Sequence, residues 1–174
     1  RLGAGCIGLM TLQACVLMGA ERIVVADVID RRLEKALQLG AWHVINGRKE
    51  DTVDRSRALF GGDGADIVFE TAGSRVTAMQ SFASVRRGGE VMIVGTIPGE
   101  TPVDFLKINR EVKVQTVFRY ANNFPMTIQA ISSGRFDVLT MVTDEYTYED
   151  VQKAFEESLS RKAEIIKGVI KISD

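Results

Sequence analysis

The sequence predicts an α/β fold, a doubly wound parallel sheet in three αβα layers, and three observations carry that prediction. Short apolar runs of strand length alternate with helical runs of about 10 to 15 residues, the pattern of consecutive βαβ units. Glycines stand at the joints, at Gly19, Gly40, Gly61 with Gly62, Gly73, and Gly88 with Gly89, where a helix ends or a turn needs positive φ. Residues 3–8 read Gly-Ala-Gly-Cys-Ile-Gly, a glycine-rich turn that opens a helix.

The elements follow in order. After the turn, 6–18 is an apolar helix, and RIVVA at 22–26 is a strand bounded by charge and apolar enough to be buried on both faces. Helices are expected over 31–39, 52–59 and 76–85, and strands over 43–45, 66–69 and 90–94. A β-rich run covers 111–118 and a helix 125–132. Beyond Gly134 the pattern predicts a strand over 138–142, a helix over 148–159 and a strand over 168–172. The glycine turn begins two residues after Arg1, so the strand that such a turn must follow is expected to be truncated and the chain to be a fragment. A truncated strand would leave a central position of the sheet unfilled.

Composition excludes several function classes. The 174 residues carry 22 basic and 23 acidic side chains, a net charge of -1, with no basic field to capture a phosphate backbone, so nucleic acid is not expected as a partner. No apolar run reaches the roughly 18 to 20 residues of a membrane span. Cys6 and Cys15, the two cysteines, support neither a disulfide framework nor a cysteine metal cluster, which fits a reducing, cytoplasmic setting. Both read as small apolar helix residues. His43, the one histidine, has no cysteine or glutamate at ligand spacing and is assigned a structural or solvent role.

The chemistry concentrates in the glycine turn. In a G-x-G-x-x-G motif the first glycine, Gly3, permits the tight turn. The second, Gly5, lets the backbone approach a pyrophosphate, and the third, Gly8, lets helix and strand pack closely. Cys6 and Ile7 begin a helix whose unpaired N–H groups face the phosphates. Asp27 lies about 20 residues on, at the end of the second strand with Val28 beside it. There a carboxylate takes both ribose hydroxyls and repels a 2′-phosphate, which points to NAD over NADP. A competing reading makes the glycines a plain loop and Asp27 a cap for the helix near Asp30. Arg31 and Arg32 can either accept a 2′-phosphate or stand as solvated helix charges. Glu70 ends a buried strand beside the expected cleft, either as a perturbed carboxylate or as a hydrogen-bonded structural one.

Five segments are familiar: GAGCIGL at 3–9, VVADV at 24–28, GADIVFETAG at 64–73, GGEVMIVG at 88–95 and VFRYANNFP at 117–125. On these the chain resembles the zinc-containing medium-chain alcohol dehydrogenase family, and within it the sorbitol (polyol) dehydrogenase branch, over essentially its whole length. VFRYANNFP is the most branch-specific segment. Asp144, where many relatives carry histidine, is a departure.

The resemblance implies a dinucleotide-binding Rossmann domain over 1–135 and a return segment over 136–174 that packs on an absent catalytic domain. It implies that Asp27 and Arg32 bind the adenosine ribose and that Thr71, Ala72 and Gly73 line the adenine side. Val94, Gly95 and Thr96, with Val117, Phe118 and Arg119, would hold the nicotinamide. Arg119 and Tyr120 would face the substrate, although by themselves they read rather as a charged and an aromatic residue ending a strand. Lys167 would meet the pyrophosphate. In relatives a zinc ion lowers the pKa of the substrate hydroxyl and hydride passes to the nicotinamide. The zinc ligands belong to a domain upstream of the glycine turn, so the chain is expected to bind NAD without turning over alcohol. Homo-oligomers through an edge strand at 112–117 are also implied. Alternatives are another zinc alcohol or threonine dehydrogenase, and a noncatalytic NAD(H)-sensing module.

Overall fold

A computed structural model describes residues 2–108 and 111–173. The chain forms two compact units, the first ending at Ala121 and the second beginning at Asn122. In the first, helix α1 (Cys6–Leu17) precedes β1 (Val24–Asp27), α2 (Asp30–Gln38), β2 (His43–Asn46), α3 (Thr52–Leu59), β3 (Ala65–Glu70), α4 (Arg75–Ser84), β4 (Val85–Ile93), α5 (Phe105–Ile108) and β5 (Lys113–Thr116).

All pairings in this unit are parallel. β1 pairs with β2 from Val24 opposite His43 to Asp27 opposite Asn46, and β4 lies between β3 and β5. Leu2 makes parallel bridges to both Ala26 and Glu70, so residue 2 occupies the position between β1 and β3. Spatial order is therefore β2-β1-Leu2-β3-β4-β5, the doubly wound order with Leu2 standing for the first strand. On the N-terminal side of those bridges a groove of about 640 Å³ runs between the facing edges of β1 and β3, lined by Cys15, Met18, Ile23, Val24, Ile67 and Phe69 among others.

Local sequence explains the helices. α2 turns Leu33 and Ala36 inward and keeps its charges outside, the amphipathic pattern of a helix laid on a sheet. Asp51 caps α3 by accepting the Asp54 N–H at 2.8 Å, and Ser74 caps α4 by accepting from Thr77 at 3.1 Å. α1 packs beside α2, and α3 beside α4, giving the helical layers of the αβα arrangement. Leu2, Val24, Ala26, Ile45, Val68, Val85 and Val91 form one buried cluster in which every strand but β5 is represented.

The second unit holds α6 (Phe124–Ser132), a 3₁₀ turn (Leu139–Met141), β6 (Asp144–Thr147), α7 (Val151–Ser160) and β7 (Gly168–Lys171). β6 and β7 pair in parallel, with α7 as their crossover. The strand expected at 138–142 is not formed. Asp137 accepts the Thr140 N–H at 3.1 Å, which wraps the β-branched run VLTMV into a 3₁₀ turn, buries Met141 and delays the strand to Asp144. The following helix also starts later than expected, at Val151, after a turn in which the Thr147 carbonyl accepts the Asp150 N–H.

Arg161 organises this unit. Its guanidinium reaches Asp144 at 3.0 Å, Glu157 at 2.8 Å and Glu164 at 2.9 Å. The Tyr146 hydroxyl donates to Glu157 at 2.9 Å. That bond, with Arg161 beside it, holds the Glu157 carboxyl below the usual carboxylate range, while partial burial and the same bond push the Tyr146 phenol up. A carboxyl with a depressed folded pKa contributes stability that is present above its unfolded pKa and lost as pH falls through the folded one. Glu157→Gln is therefore expected to lower Tm at neutral pH, with the gap to wild type narrowing below the ordinary value of 4.5. Thermal scans of both proteins across that range check this, and a gap that widens in acid contradicts it.

Candidate functional site

In an open parallel sheet, ligands bind outside the carboxyl ends of the strands, where the strand order reverses. Here that point is Leu2, and the loops leaving Leu2, β1, β3 and β4 converge on it. The Gly3 N–H donates to the Ala26 carbonyl at 2.8 Å and the Thr71 N–H to the Leu2 carbonyl at 2.9 Å. The Thr71 hydroxyl also donates to the Leu2 carbonyl, at 2.8 Å. Gly3 has φ of 97°, and a Cβ there would lie 2.9 Å from the Ala72 nitrogen. Its glycine is a requirement of the fold.

Gly5 is different. It is the N-cap of α1 with φ of -70°, which any residue adopts, and a Cβ added there would meet nothing within 4 Å. No side chain caps α1, and its first turn holds no acidic residue. The first-turn N–H groups of a helix have no intrahelical acceptor. The 12-residue α1 thus ends in uncapped donors beside open space. Cys6 is half-buried in that turn, Ile7 is exposed, and Gly8 is buried.

Asp27 closes one side. Its Oδ2 accepts the Ala4 N–H at 2.6 Å, and its Oδ1 accepts from Val28 at 2.7 Å and from Ile29 at 3.0 Å. It ties the glycine turn to β1 and receives the two backbone donors of the loop before α2, and since no side chain caps α2, Asp27 is not its cap. Charge-assisted bonds of this kind fix a carboxylate in place. Val28 is exposed, and Arg32 is half-buried in the first turn of α2. Asp30, expected only as a helix start, bonds Lys49 at 3.0 Å and Asn46 at 2.7 Å, and these contacts, Lys49 first, draw its carboxyl below the ordinary value.

The other side is built on Glu70, fully buried at the end of β3. Its Oε1 accepts N–H groups of Ala72 and Gly73, each at 2.9 Å, and the Thr77 hydroxyl at 2.7 Å, which is the hydrogen-bonded structural role. Its carbonyl accepts from Val94 at 2.8 Å and Gly95 at 3.0 Å. Thr71, Ala72 and Gly73 therefore sit against Val94, Gly95 and Thr96. The Val117 N–H donates to the Ile93 carbonyl at 2.8 Å, which brings the start of 117–119 to the same sheet edge.

Phe118, Arg119 and Tyr120 are exposed, and the Arg119 guanidinium lies 5.2 Å from the centre of the Phe118 ring. Arg119 has φ of 57°, an uncommon conformation for a side-chain-bearing residue and one that gathers at functional sites. Nothing in the sequence signalled that conformation, nor the Ala4 contact of Asp27, whose partners are 23 residues apart. Lys167 lies in the second unit, exposed, with its carbonyl accepting the Thr143 N–H at 2.9 Å.

Residues 6–133 match the model of the zinc-binding dehydrogenases. The chain belongs to the zinc-binding dehydrogenase family. It is 65% identical over 173 residues to the zinc-type alcohol dehydrogenase-like protein YdjJ of Escherichia coli, covering 99% of this chain and 50% of that protein. It is 38% identical over 173 residues to the sorbitol dehydrogenase of Bacillus subtilis, covering 97% of this chain and 48% of the relative. Among solved structures, an Escherichia coli oxidoreductase/dehydrogenase of unknown specificity superimposes with a TM-score of 0.96 at 65% identity, over 99% of this chain and 50% of that one. The chain spans about half the length of the curated relatives it matches.

The described residues do not fit a zinc ion. Among the described residues no group of three or more His, Cys, Asp or Glu converges as a metal would require, and His43 instead meets Arg55 at 3.4 Å. Nor is any helix among them long and apolar enough to cross a membrane.

Because Gly3 serves the fold, Gly3→Ala is expected to destabilise the protein by about 1–3 kcal/mol or more. A urea midpoint unchanged from wild type contradicts that assignment.

Proposed function

We propose that this chain is the NAD-binding half of a zinc-dependent polyol or sorbitol-type dehydrogenase, moving hydride between a secondary alcohol and NAD. The observation that carries this is Gly5. Neither its backbone angles nor any neighbour demands a glycine, yet a side chain there would fill the space in front of the uncapped α1, where a pyrophosphate would lie.

Gly5, Cys6, Ile7 and Gly8 would receive the pyrophosphate. Asp27 and Arg32, with Val28, would take the adenosine ribose, and Thr71, Ala72 and Gly73 would line the adenine side. Val94, Gly95 and Thr96, together with Val117, Phe118 and Arg119, would hold the nicotinamide, which when bound supplies the hydride acceptor or donor. Arg119 and Tyr120 would face the substrate. The Asp27 carboxylate, held by three backbone donors, cannot swing aside for a 2′-phosphate, and this favours NAD over NADP.

The zinc would be carried by the other half of the protein, so the chain alone binds cofactor without oxidising alcohol. In this reading the return segment packs on that half. Exposed Leu139, Phe155, Leu159 and Ile172 supply an apolar surface for it. The outer strand β5, within 112–117, would pair copies of the chain, and Cys6 and Cys15, which form no disulfide, suit a cytoplasmic setting.

Gly5→Ala tests the carrying observation. It is expected to change stability by less than about 1 kcal/mol while abolishing NADH binding in calorimetry; wild-type affinity in this variant would falsify the pyrophosphate placement. Asp27→Asn removes the charge and keeps one of the two acceptor oxygens. Wild type should bind NADH at least about tenfold more tightly than NADPH, a difference of about 1.4 kcal/mol, and the variant should lose most of that preference. Equal binding of both cofactors by wild type would refute the NAD assignment.

A further inference from the structure

We propose that Glu70 is a positioning residue that sets the spacing between the 71–73 and 94–96 loops, and with it the width of the cleft that takes the dinucleotide; this rests on the dinucleotide reading above. Glu70 holds each loop with a different part of itself. Its carboxylate accepts the Ala72 and Gly73 N–H groups at 2.9 Å, while its carbonyl accepts those of Val94 and Gly95 at 2.8 and 3.0 Å. The two loops touch above it. A Cβ on Gly95 would lie 2.5 Å from the Gly73 nitrogen, and one on Gly73 2.8 Å from the Thr96 carbonyl oxygen.

The hydrogen bonds of the fold use only one oxygen of this carboxylate. Glu70 is fully buried, and its Oε2 has no hydrogen-bond partner among the described residues. Burying a polar atom unsatisfied is costly, and the three donors to Oε1 do not by themselves call for a second oxygen. The unpaired oxygen points at the seam, since a Cβ on Gly95 would come within 2.5 Å of it. The carboxylate therefore acts as a spacer beneath Gly95 as well as an anchor for Ala72 and Gly73. The third donor to Oε1, the Thr77 hydroxyl at 2.7 Å, ties this spacer to the first turn of α4.

Glu70→Gln preserves shape and leaves one oxygen for the three donors, but turns an amide NH₂ toward the backbone nitrogens of the seam and removes the charge that strengthens the loop bonds. Thr77→Val removes one donor and leaves the carboxylate. NADH titrations of the 174-residue chain and both variants, each with a urea midpoint, separate positioning from stability. The expected result is NADH affinity weakened about tenfold in Glu70→Gln and by a smaller factor in Thr77→Val, measured on fully folded protein. A merely structural Glu70 would lower the urea midpoint and leave the affinity of the folded protein unchanged. NADH affinity within about twofold of wild type in Glu70→Gln overturns the inference and leaves the dinucleotide reading standing. If Glu70→Gln does not fold, Thr77→Val decides: weakened binding supports the inference and wild-type binding overturns it. Absence of NADH binding in folded wild-type chain overturns the dinucleotide reading and the inference together.

Discussion

Among the described residues the sheet of the first unit is continuous only through Leu2 and Gly3. The bonds of residues 2 and 3 to Phe69, Thr71 and Ala26, 2.8 to 2.9 Å long, tie the β1–β2 pair to the β3–β4–β5 sheet. The glycine turn must leave the sheet at this joint, because parallel strands run outward on either side and the next element, α1, has to return across one face. The tight left-handed step at Gly3, the close packing of Ala72 against it and the reach of Asp27 to Ala4 all follow from that constraint.

Polar groups at this edge carry two different duties. Gly3, Thr71 and Oε1 of Glu70 are bonded or sterically fixed by the protein, and they shape the loops. Gly5 and the first turn of α1 are left facing open space, and they are the groups free to meet a ligand. The distinction matters because both kinds of residue fall within the same motif, and spacing alone does not separate them. Asp27 belongs to both, with three backbone donors holding it at the place where a ribose would lie.

Much of the fold was legible in the sequence, for physical reasons. RIVVA reads as a strand because a parallel strand buried on both faces must be continuously apolar, and Val24, Val25 and Ala26 are buried. The 52–59 helix forms where the alternating pattern placed it, with Asp51 as its cap. VLTMV at 138–142 misled because β-branched, apolar composition is shared by strands and short turns, and the bond from Thr140 to Asp137 decided between them. At the site, the motif located Gly3, Gly5, Gly8 and Asp27. What it could not reveal were pairings across the fold: Ala4 with Asp27, Thr71 with Leu2, and the two loops held by Glu70. The positive φ of Arg119 is set by its surroundings and leaves no trace in residue type.

The central claim is that the carboxyl edge of this sheet receives a dinucleotide. Amide hydrogen exchange of the chain with and without NADH tests it most directly, because it reads the location of binding as well as its occurrence. The account predicts slowed exchange within 3–8, 27–32, 71–73 and 94–96, with the Arg161 network of the second unit unchanged. Protection confined to the groove around Met18 and Ile67, or none at saturating NADH in folded protein, would contradict it.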